Sequence, residues 1–488
     1  MEFRDYRAYL DEVERAGELR VVRGADLKTD VGGITEITAW SPEHPVVLFD
    51  EIDGYPAGRR IAVHSFDSYR RMQLVYGFPD GLRGRALTEW WADRLDVAAS
   101  SPPVTPVEVE TGPVMENVLT GDDVDLHLFP APMWHELDGG PYLATGGASV
   151  LRDPDTGALN AGCYRGMVYD RHTIGHHLAG GHHGQVIRDK YFERGENCPI
   201  VISLGNDPSF TLAAAENVGF GQDELEFGGF LRGAPYEVVR GPLTGLPFPA
   251  GAEAVLEGEI LHPDAEPKRS EGPWGEGLGY YAAAFDQPAV RVHAIYHRDD
   301  PIVLGEPTLR FRNRGGAGGF AQTARRLHML RRSGLEGIRG VGQVGPFLVI
   351  SLKQHYAGHV MRVADYAMAG LADRPPRYLV MVDDDIDPTN PTLVNWAIST
   401  RVDPAAQIHI ERERWCNVIN PAGLTPEKRR IEDYTLGTTI IDACKPFRWR
   451  RHWDAMFHRS DIDEDLRVRL ATRWESELGD LVTAPRPI

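Results

Sequence analysis

Apolar residues at Phe3, Tyr6, Leu10 and Val13 recur at helical spacing, so the chain opens with an amphipathic helix. Pro45-Val46-Val47-Leu48-Phe49-Asp50 reads as a short buried strand, and Thr88-Glu89-Trp90-Trp91 as part of a second helix. Ser101-Pro102-Pro103-Val104-Thr105-Pro106 breaks regular structure and marks a first boundary. From there to Arg298, short apolar runs alternate with turn residues; Pro199–Leu204, Ala254–Gly258 and Ala289–Tyr296 are three of them. Many short strands predict a barrel or sandwich. Arg312–Gly319 is glycine-rich but lacks the Lys-Ser/Thr ending of a phosphate-binding loop, and it reads as a flexible link. The rhythm then changes to a strand at Phe347–Leu352, a helix around Val360–Ala369 and a strand at Tyr378–Val382. That alternation predicts an α/β domain. The stretch from Asp461 onward is charged and helical in pattern.

A chain of 488 residues is long enough for about three domains and a substantial core. The expected architecture is mixed α/β and β. It has an N-terminal α/β domain over residues 1–110, a central β-rich domain over 111–310, a C-terminal α/β domain over 320–460 and a terminal helix over 461–488. The 52 basic and 71 acidic residues give a formal charge of -19, which argues against nucleic acid or an anionic membrane surface as the main partner. Cys163, Cys198, Cys416 and Cys444 show no C-x-x-C spacing, so neither a disulfide scaffold nor a zinc knuckle is expected, and a reduced cytoplasmic setting fits. The charged N-terminus is not a secretory signal, and no apolar run is long enough to span a bilayer.

The sharpest chemical feature is Glu271-Gly272-Pro273-Trp274-Gly275-Glu276. Carboxylates at this separation sit on opposite faces of a strand and roughly 140° apart on a helix. Pro273 and the glycines disfavour both elements and predict a bent loop, which can turn both acids toward one cavity. Such a pair suits proton transfer when its surroundings separate the two pKa values. The alternative is an exposed acidic turn.

Other segments favour the chemical reading. They are Asn160-Ala161-Gly162-Cys163-Tyr164-Arg165, Gly180-Gly181-His182-His183 and Asp223-Glu224-Leu225-Glu226-Phe227-Gly228-Gly229-Phe230-Leu231-Arg232-Gly233. Glu116-Asn117-Val118-Leu119 and Phe129-Pro130 precede them, and Lys353–His359, Asp383–Asp387 and Trp396–Arg401 follow. In order and in most of its spacing, the set resembles the UbiD family of prenylated-FMN-dependent decarboxylases over nearly the whole chain. Gly228 stands where that family usually has alanine.

The resemblance implies a central split β-barrel of the flavin-reductase type. It implies manganese, or magnesium, held by Asn160, His183 and Glu224, with potassium nearby on backbone oxygens. An amide oxygen, an imidazole and a carboxylate suit such an ion and leave room for phosphate oxygens. Gly162, Cys163, Arg165 and His182 join these three as expected cofactor-binding residues. His182 competes with His183 as ligand, and Glu226 with Glu224; the family register selects His183 and Glu224. The resemblance further implies a catalytic Glu271–Arg165–Glu276 network, with Glu276 as the proton donor that replaces departing carbon dioxide. An exposed structural arginine is the plain alternative for Arg165, and a bulge is needed if it is to share a face with Asn160.

The expected activity is therefore non-oxidative, reversible decarboxylation of an aromatic or α,β-unsaturated carboxylic acid. A flavin prenyltransferase would be the cofactor source, and a homodimer or higher homo-oligomer would form through the C-terminal domain. Lys353 and Arg401 could reach the site, whereas the Asp383–Asp387 run is expected to be structural. His176 and His177 read as surface or structural. Two rivals stand: a metal-dependent hydrolase using His176, His182, His183 and Glu224, and a flavin-binding scaffold without catalysis.

Overall fold

The computed structural model describes residues 4–178, 181–216, 218–219, 221–310, 319–370, 376–415, 420, 425–431, 433–458, 460 and 464–479. Phe3, Gly180, Cys416, most of the glycine-rich link and both ends of the C-terminal segment lie outside them. The chain forms two compact units: Met1–Asp80, Val97–Gly318 and Val418–Pro421 in one, and Gly81–Asp96, Gly319–Asn417 and Ala422–Ile488 in the other.

A long antiparallel sheet organises the first unit. Its strands run in the order Tyr142–Ala144, Gly166–Val168, Thr173–His176, Ala289–His297, Ala254–Ile260, Cys198–Leu204, Ala148–Arg152 and Leu159–Gly162. Asn117–Thr120 adds to Ala289–His297. Strands Leu159–Gly162 and Gly166–Val168 are consecutive in the chain yet six places apart in this order. In a flat sheet they would be about 29 Å apart, at about 4.8 Å per strand. The link Cys163–Arg165 reaches only about 14 Å, so the sheet has to curl into a half-barrel.

Successive residues of Cys198–Leu204 enter different cores. Ile200, Ile202 and Leu204 pack in one cluster with Leu256 and Ile295, while Val201 packs in another with Val255, Ala294 and Tyr296. Both faces of the sheet are buried, which is why its strands read as continuous apolar runs rather than alternating ones. Helices His183–Glu193, Pro208–Ala215 and Glu224–Arg232 cover the edge that ends in Leu159–Gly162.

The opening helix is Tyr6–Arg15. Its Asp5 cap accepts a hydrogen bond from the Ala8 amide, and it buries Tyr6, Tyr9, Leu10 and Val13. Beside it lies a four-stranded sheet in the order Leu19–Arg23, Val46–Asp50, Arg60–Val63 and Ile302–Gly305. The last of these strands returns from far along the chain and pairs in parallel with Arg60–Val63.

The second unit holds a five-stranded sheet in the order Ile338–Val344, Phe347–Leu352, Tyr378–Asp383, Thr435–Ala443 and Ile408–Trp415. The middle three strands are parallel. At their carboxyl ends Arg401 donates to Asp383 (2.9 Å) and to both oxygens of Asp385 (2.9 and 2.8 Å). Two acids of the run are thus paired inside their own unit, and Arg401, read as able to reach the site, is buried in this knot. Lys353 is exposed. Among the described residues, no helix is long and apolar enough to cross a membrane.

Candidate active site

The Glu271 loop is built from two short ladders, Arg269–Glu271 with Phe285–Gln287 and Trp274–Gly275 with Tyr281–Ala282. Between them Gly272 has φ +88°, a conformation that strains any residue with a side chain. Gly139 presses on this turn: its amide donates to Pro273 O (2.7 Å), and a Cβ at 139 would lie 1.9 Å from Gly272 O. The turn aims both acids at Arg165, which sits in the irregular link between two strands. Having left the strand conformation, Arg165 is free of the facing imposed on Asn160.

Arg165 donates from Nε to Glu271 Oε1 and from Nη2 to Glu271 Oε2, each at 2.8 Å. Its Nη1 donates to Glu276 Oε1, also at 2.8 Å. The guanidinium lies 5.8 Å from the centre of the Trp274 ring. Glu271 is fully buried, and Arg165 and Glu276 are nearly so.

The two acids differ in their surroundings. Burial pushes the Glu271 pKa up, but the bidentate Arg165 contact and a 2.7 Å hydrogen bond from the Tyr142 hydroxyl outweigh it, and its carboxyl titrates below the ordinary value. Burial also pushes Glu276 up, and its single-armed contact with Arg165 does not offset that, so it titrates above the ordinary value. His177 Nδ1 lies 3.5 Å from Glu271 Oε2 without hydrogen-bond geometry. Burial and the Arg165 charge hold this imidazole down to about 4, so it is neutral at pH 7. One guanidinium thus faces two carboxyls, and a proton on Glu276 neutralises the cluster.

A second group of residues lies on strand Leu159–Gly162. Glu224, in the first turn of helix Glu224–Arg232, accepts from Asn160 Nδ2 (3.0 Å) and from the Ala161 amide (2.7 Å). Burial pushes Glu224 up to about 8. Asn160 Oδ1 is buried with no hydrogen-bond partner among the described residues. An unsatisfied amide oxygen beside a desolvated carboxylate fits a divalent cation. His183 begins helix His183–Glu193, which packs on the same strand; His182 is its exposed N-cap, with its ring 6.1 Å from Tyr164. Gly162 packs against the Tyr164 ring, and the half-buried Cys163 thiol donates to Thr211 O. Burial raises that thiol to about 12, so it stays protonated.

The histidines read as surface or structural lie inside. His176 is buried with Nε2 2.9 Å from Ser149 Oγ, and His177 faces Glu271. The reason is that Thr173–His176 is an inner strand of the curled sheet, and the chain stays under it for one more residue. Among the described residues, no three His, Cys, Asp or Glu side chains gather as a metal-holding group, so the four-residue set of the hydrolase reading is not assembled.

A family model described as the 3-octaprenyl-4-hydroxybenzoate carboxy-lyase Rift-related domain matches residues 105–309, and the C-terminal domain of the same carboxy-lyase matches residues 319–443. The chain belongs to the UbiD family. A phenolic acid decarboxylase of Streptomyces sp. (strain D7) is 32% identical over 418 residues, covering 83% of this chain and 85% of that protein. A pyrrole-2-carboxylic acid decarboxylase of Pseudomonas aeruginosa is 31% identical over 426 residues, covering 82% and 83%. Among solved structures, the closed form of the vanillic acid decarboxylase of Sedimentibacter hydroxybenzoicus is 26% identical with TM-score 0.82, covering 99% of this chain and 100% of that one. An evolved dimeric form of the UbiD-class enzyme HmfF from Pelotomaculum thermopropionicum, solved with prFMN, is 25% identical with TM-score 0.76, covering 96% and 99%. The protein is a UbiD-type carboxy-lyase.

Sequence reasoning about this UbiD chain missed Tyr142 and His177 as partners of Glu271. Tyr142 lies 129 positions from Glu271, and its ring packs 4.2 Å from that of Trp274. Only the Asp-Gly-Gly-Pro-Tyr turn around it offered a signal, and that signal speaks of backbone, not of chemistry.

Proposed function

We propose that this protein catalyses the non-oxidative, reversible decarboxylation of an aromatic or α,β-unsaturated carboxylic acid, with prenylated FMN as cofactor. The observation that carries this reading is Arg165 bridging two buried glutamates whose proton affinities are displaced in opposite directions. The phenolic and pyrrole-2-carboxylic acid decarboxylases among its relatives favour the aromatic class. In this reading the half-barrel is a split barrel of the flavin-reductase type. Asn160, Glu224 and His183 would hold manganese or magnesium at the cofactor phosphate, with potassium nearby. Gly162, Cys163 and His182 would line the cofactor.

When bound, the prenylated flavin supplies the electron sink for the density left on the substrate carbon. The chain supplies placement and the proton. Arg165 engages Glu276 through Oε1, so Oε2 is the oxygen that carries the proton. Loss of carbon dioxide from the substrate carboxylate leaves a carbon that takes this proton, and Glu276 is left ionised until solvent restores it. Glu271 stays anionic and pins the guanidinium, so Arg165 cannot follow Glu276 as its charge changes. Trp274 and Tyr142 exclude water around this pair.

We read the domains as 1–110, 111–310, 320–460 and 461–488, the third being the oligomerising one in a homodimer or higher assembly. The test is to make the protein with a flavin prenyltransferase, identify the released cofactor by mass spectrometry, and assay carbon dioxide release from phenolic, heteroaromatic and acrylic acids. A prenylated flavin with release from an aromatic acid is expected. Unmodified FMN or no flavin, with no release from any acid, overturns the reading.

A further inference from the structure

Side-chain contact alone does not explain how Glu276 is held, because the backbone just before it is gripped on both sides. The Gly275 amide donates to Asp138 Oδ1 at 3.0 Å, and the Gly275 carbonyl accepts from Thr308 Oγ1 at 2.6 Å. His135 joins these two anchors. Its Nδ1 lies 3.2 and 3.1 Å from the oxygens of Asp138, and its Nε2 lies 2.9 Å from Thr308 O. Thr308 Oγ1 also accepts from Trp274 Nε1 at 2.8 Å, and Asp138 Oδ2 accepts from the His135 amide at 2.9 Å. The Asp138 side chain is fully buried.

The His135 ring meets Trp274 and Tyr281 edge-on, at 5.1 and 6.2 Å between centres. It lies so close to Gly275 that a Cβ there would come within 2.5 Å of it. Both ring nitrogens face oxygens, one pair a carboxylate and the other a backbone carbonyl that can only accept.

We propose that His135, Asp138 and Thr308 form a latch of positioning residues that fixes the Gly275–Glu276 backbone and so sets the reach of the Glu276 carboxyl. The proposal rests on Glu276 being the proton donor. None of the three needs to touch substrate; each acts through Gly275. A plain structural clamp would hold the loop for stability alone, and the two roles separate in kinetics.

The test uses the holoenzyme and compares Thr308→Val with Thr308→Ser and His135→Ala, with Glu276→Gln as a control. A displacement of about 1 Å costs about 100-fold in rate, so Thr308→Val and His135→Ala are expected to lower kcat about 10- to 100-fold at equal cofactor occupancy. KM should change less than about twofold, and Thr308→Ser, which keeps the hydroxyl, should recover most of the loss. In cofactor-free protein, the Glu276 carboxyl is assigned by infrared difference against Glu276→Gln. Its titration should shift between the parent and His135→Ala, because the latch sets where this carboxyl lies. Wild-type kcat per bound cofactor in Thr308→Val and His135→Ala, with only melting temperature or occupancy reduced, overturns the latch. Full turnover in Glu276→Gln would instead remove the proton-donor reading. If His135→Ala does not fold, the Thr308 pair decides the question alone.

Discussion

Glu271 and Glu276 share one guanidinium, yet they are not equivalent. Glu271 receives two hydrogen bonds from Arg165 and one from Tyr142, whereas Arg165 gives Glu276 one. Each hydrogen bond to a charged group favours ionisation, so in the proposed mechanism the acid with more donors is the permanent anion and the other is the proton carrier. Glu276→Gln is expected to retain cofactor and lose about 100- to 10,000-fold in turnover, measured as single-turnover carbon dioxide release. The same asymmetry fixes the pH profile. In that mechanism turnover needs Glu271 ionised, and its pKa is lowered, so the acid limb falls below the ordinary carboxylate range. It also needs Glu276 protonated, and that pKa is raised, so activity declines as pH rises through a value above the ordinary range. Measured kcat/KM against pH should show both limbs, and the residual activity of Glu276→Gln should lack the upper one. The identities of the two acids and of Arg165 were legible in the chain. The resemblance also assigned the donor role to Glu276; what displaces the two proton affinities was not legible, because Tyr142 and His177 reach Glu271 from distant parts of the chain and burial has no sequence signature.

Among elements, the loop at Gly272–Pro273 shows how much a turn can specify. Proline and glycine between two acids announced a bend, and the bend is present. What the bend rests on was not announced: Gly139 approaches so closely that no side chain fits between it and Gly272 O. Gly139→Ala is therefore expected to push the loop away from Arg165 and cost about 1–3 kcal/mol, as overpacking does, read by chemical denaturation. A stability equal to the parent would show that the segments part without cost. Helices His183–Glu193 and Glu224–Arg232 tell a similar story. Both dock on Leu159–Gly162, and the first turn of the second brings Glu224 to Asn160 and the Ala161 amide. His183→Ala should abolish cofactor occupancy, checked by flavin absorbance; normal occupancy would point to His182.

For the molecule as a whole, curling of the central sheet brings strands distant in its order to either side of one short link. Strands Leu159–Gly162 and Gly166–Val168, on either side of Arg165, lie six places apart in the strand order and are joined by a link too short for a flat sheet. Cation binding reports on that assembly. Glu224 is held up to about 8 in the metal-free protein, against an ordinary value of 4.5, so between these values the folded state carries a proton that a cation must displace. Manganese should bind with release of about one proton near pH 6.5, release should fade above pH 8, and Glu224→Gln should abolish both. Calorimetry in buffers of different ionisation enthalpy measures this directly, and proton-independent binding at pH 6.5 would contradict it.

The sequence by itself determined the family, the decarboxylase class, the acid pair and its arginine, because these reside in residue types whose order and spacing survive in one dimension. It also determined the alternation of short strands and the α/β rhythm that follows them. Only the tertiary structure decided how the two acids' proton affinities are displaced, that Asn160 Oδ1 is buried without a partner among the described residues, and that His176 and His177 lie inside rather than on the surface. Those properties depend on desolvation and on contacts across more than a hundred positions, and both arise only when the sheet has closed around the site.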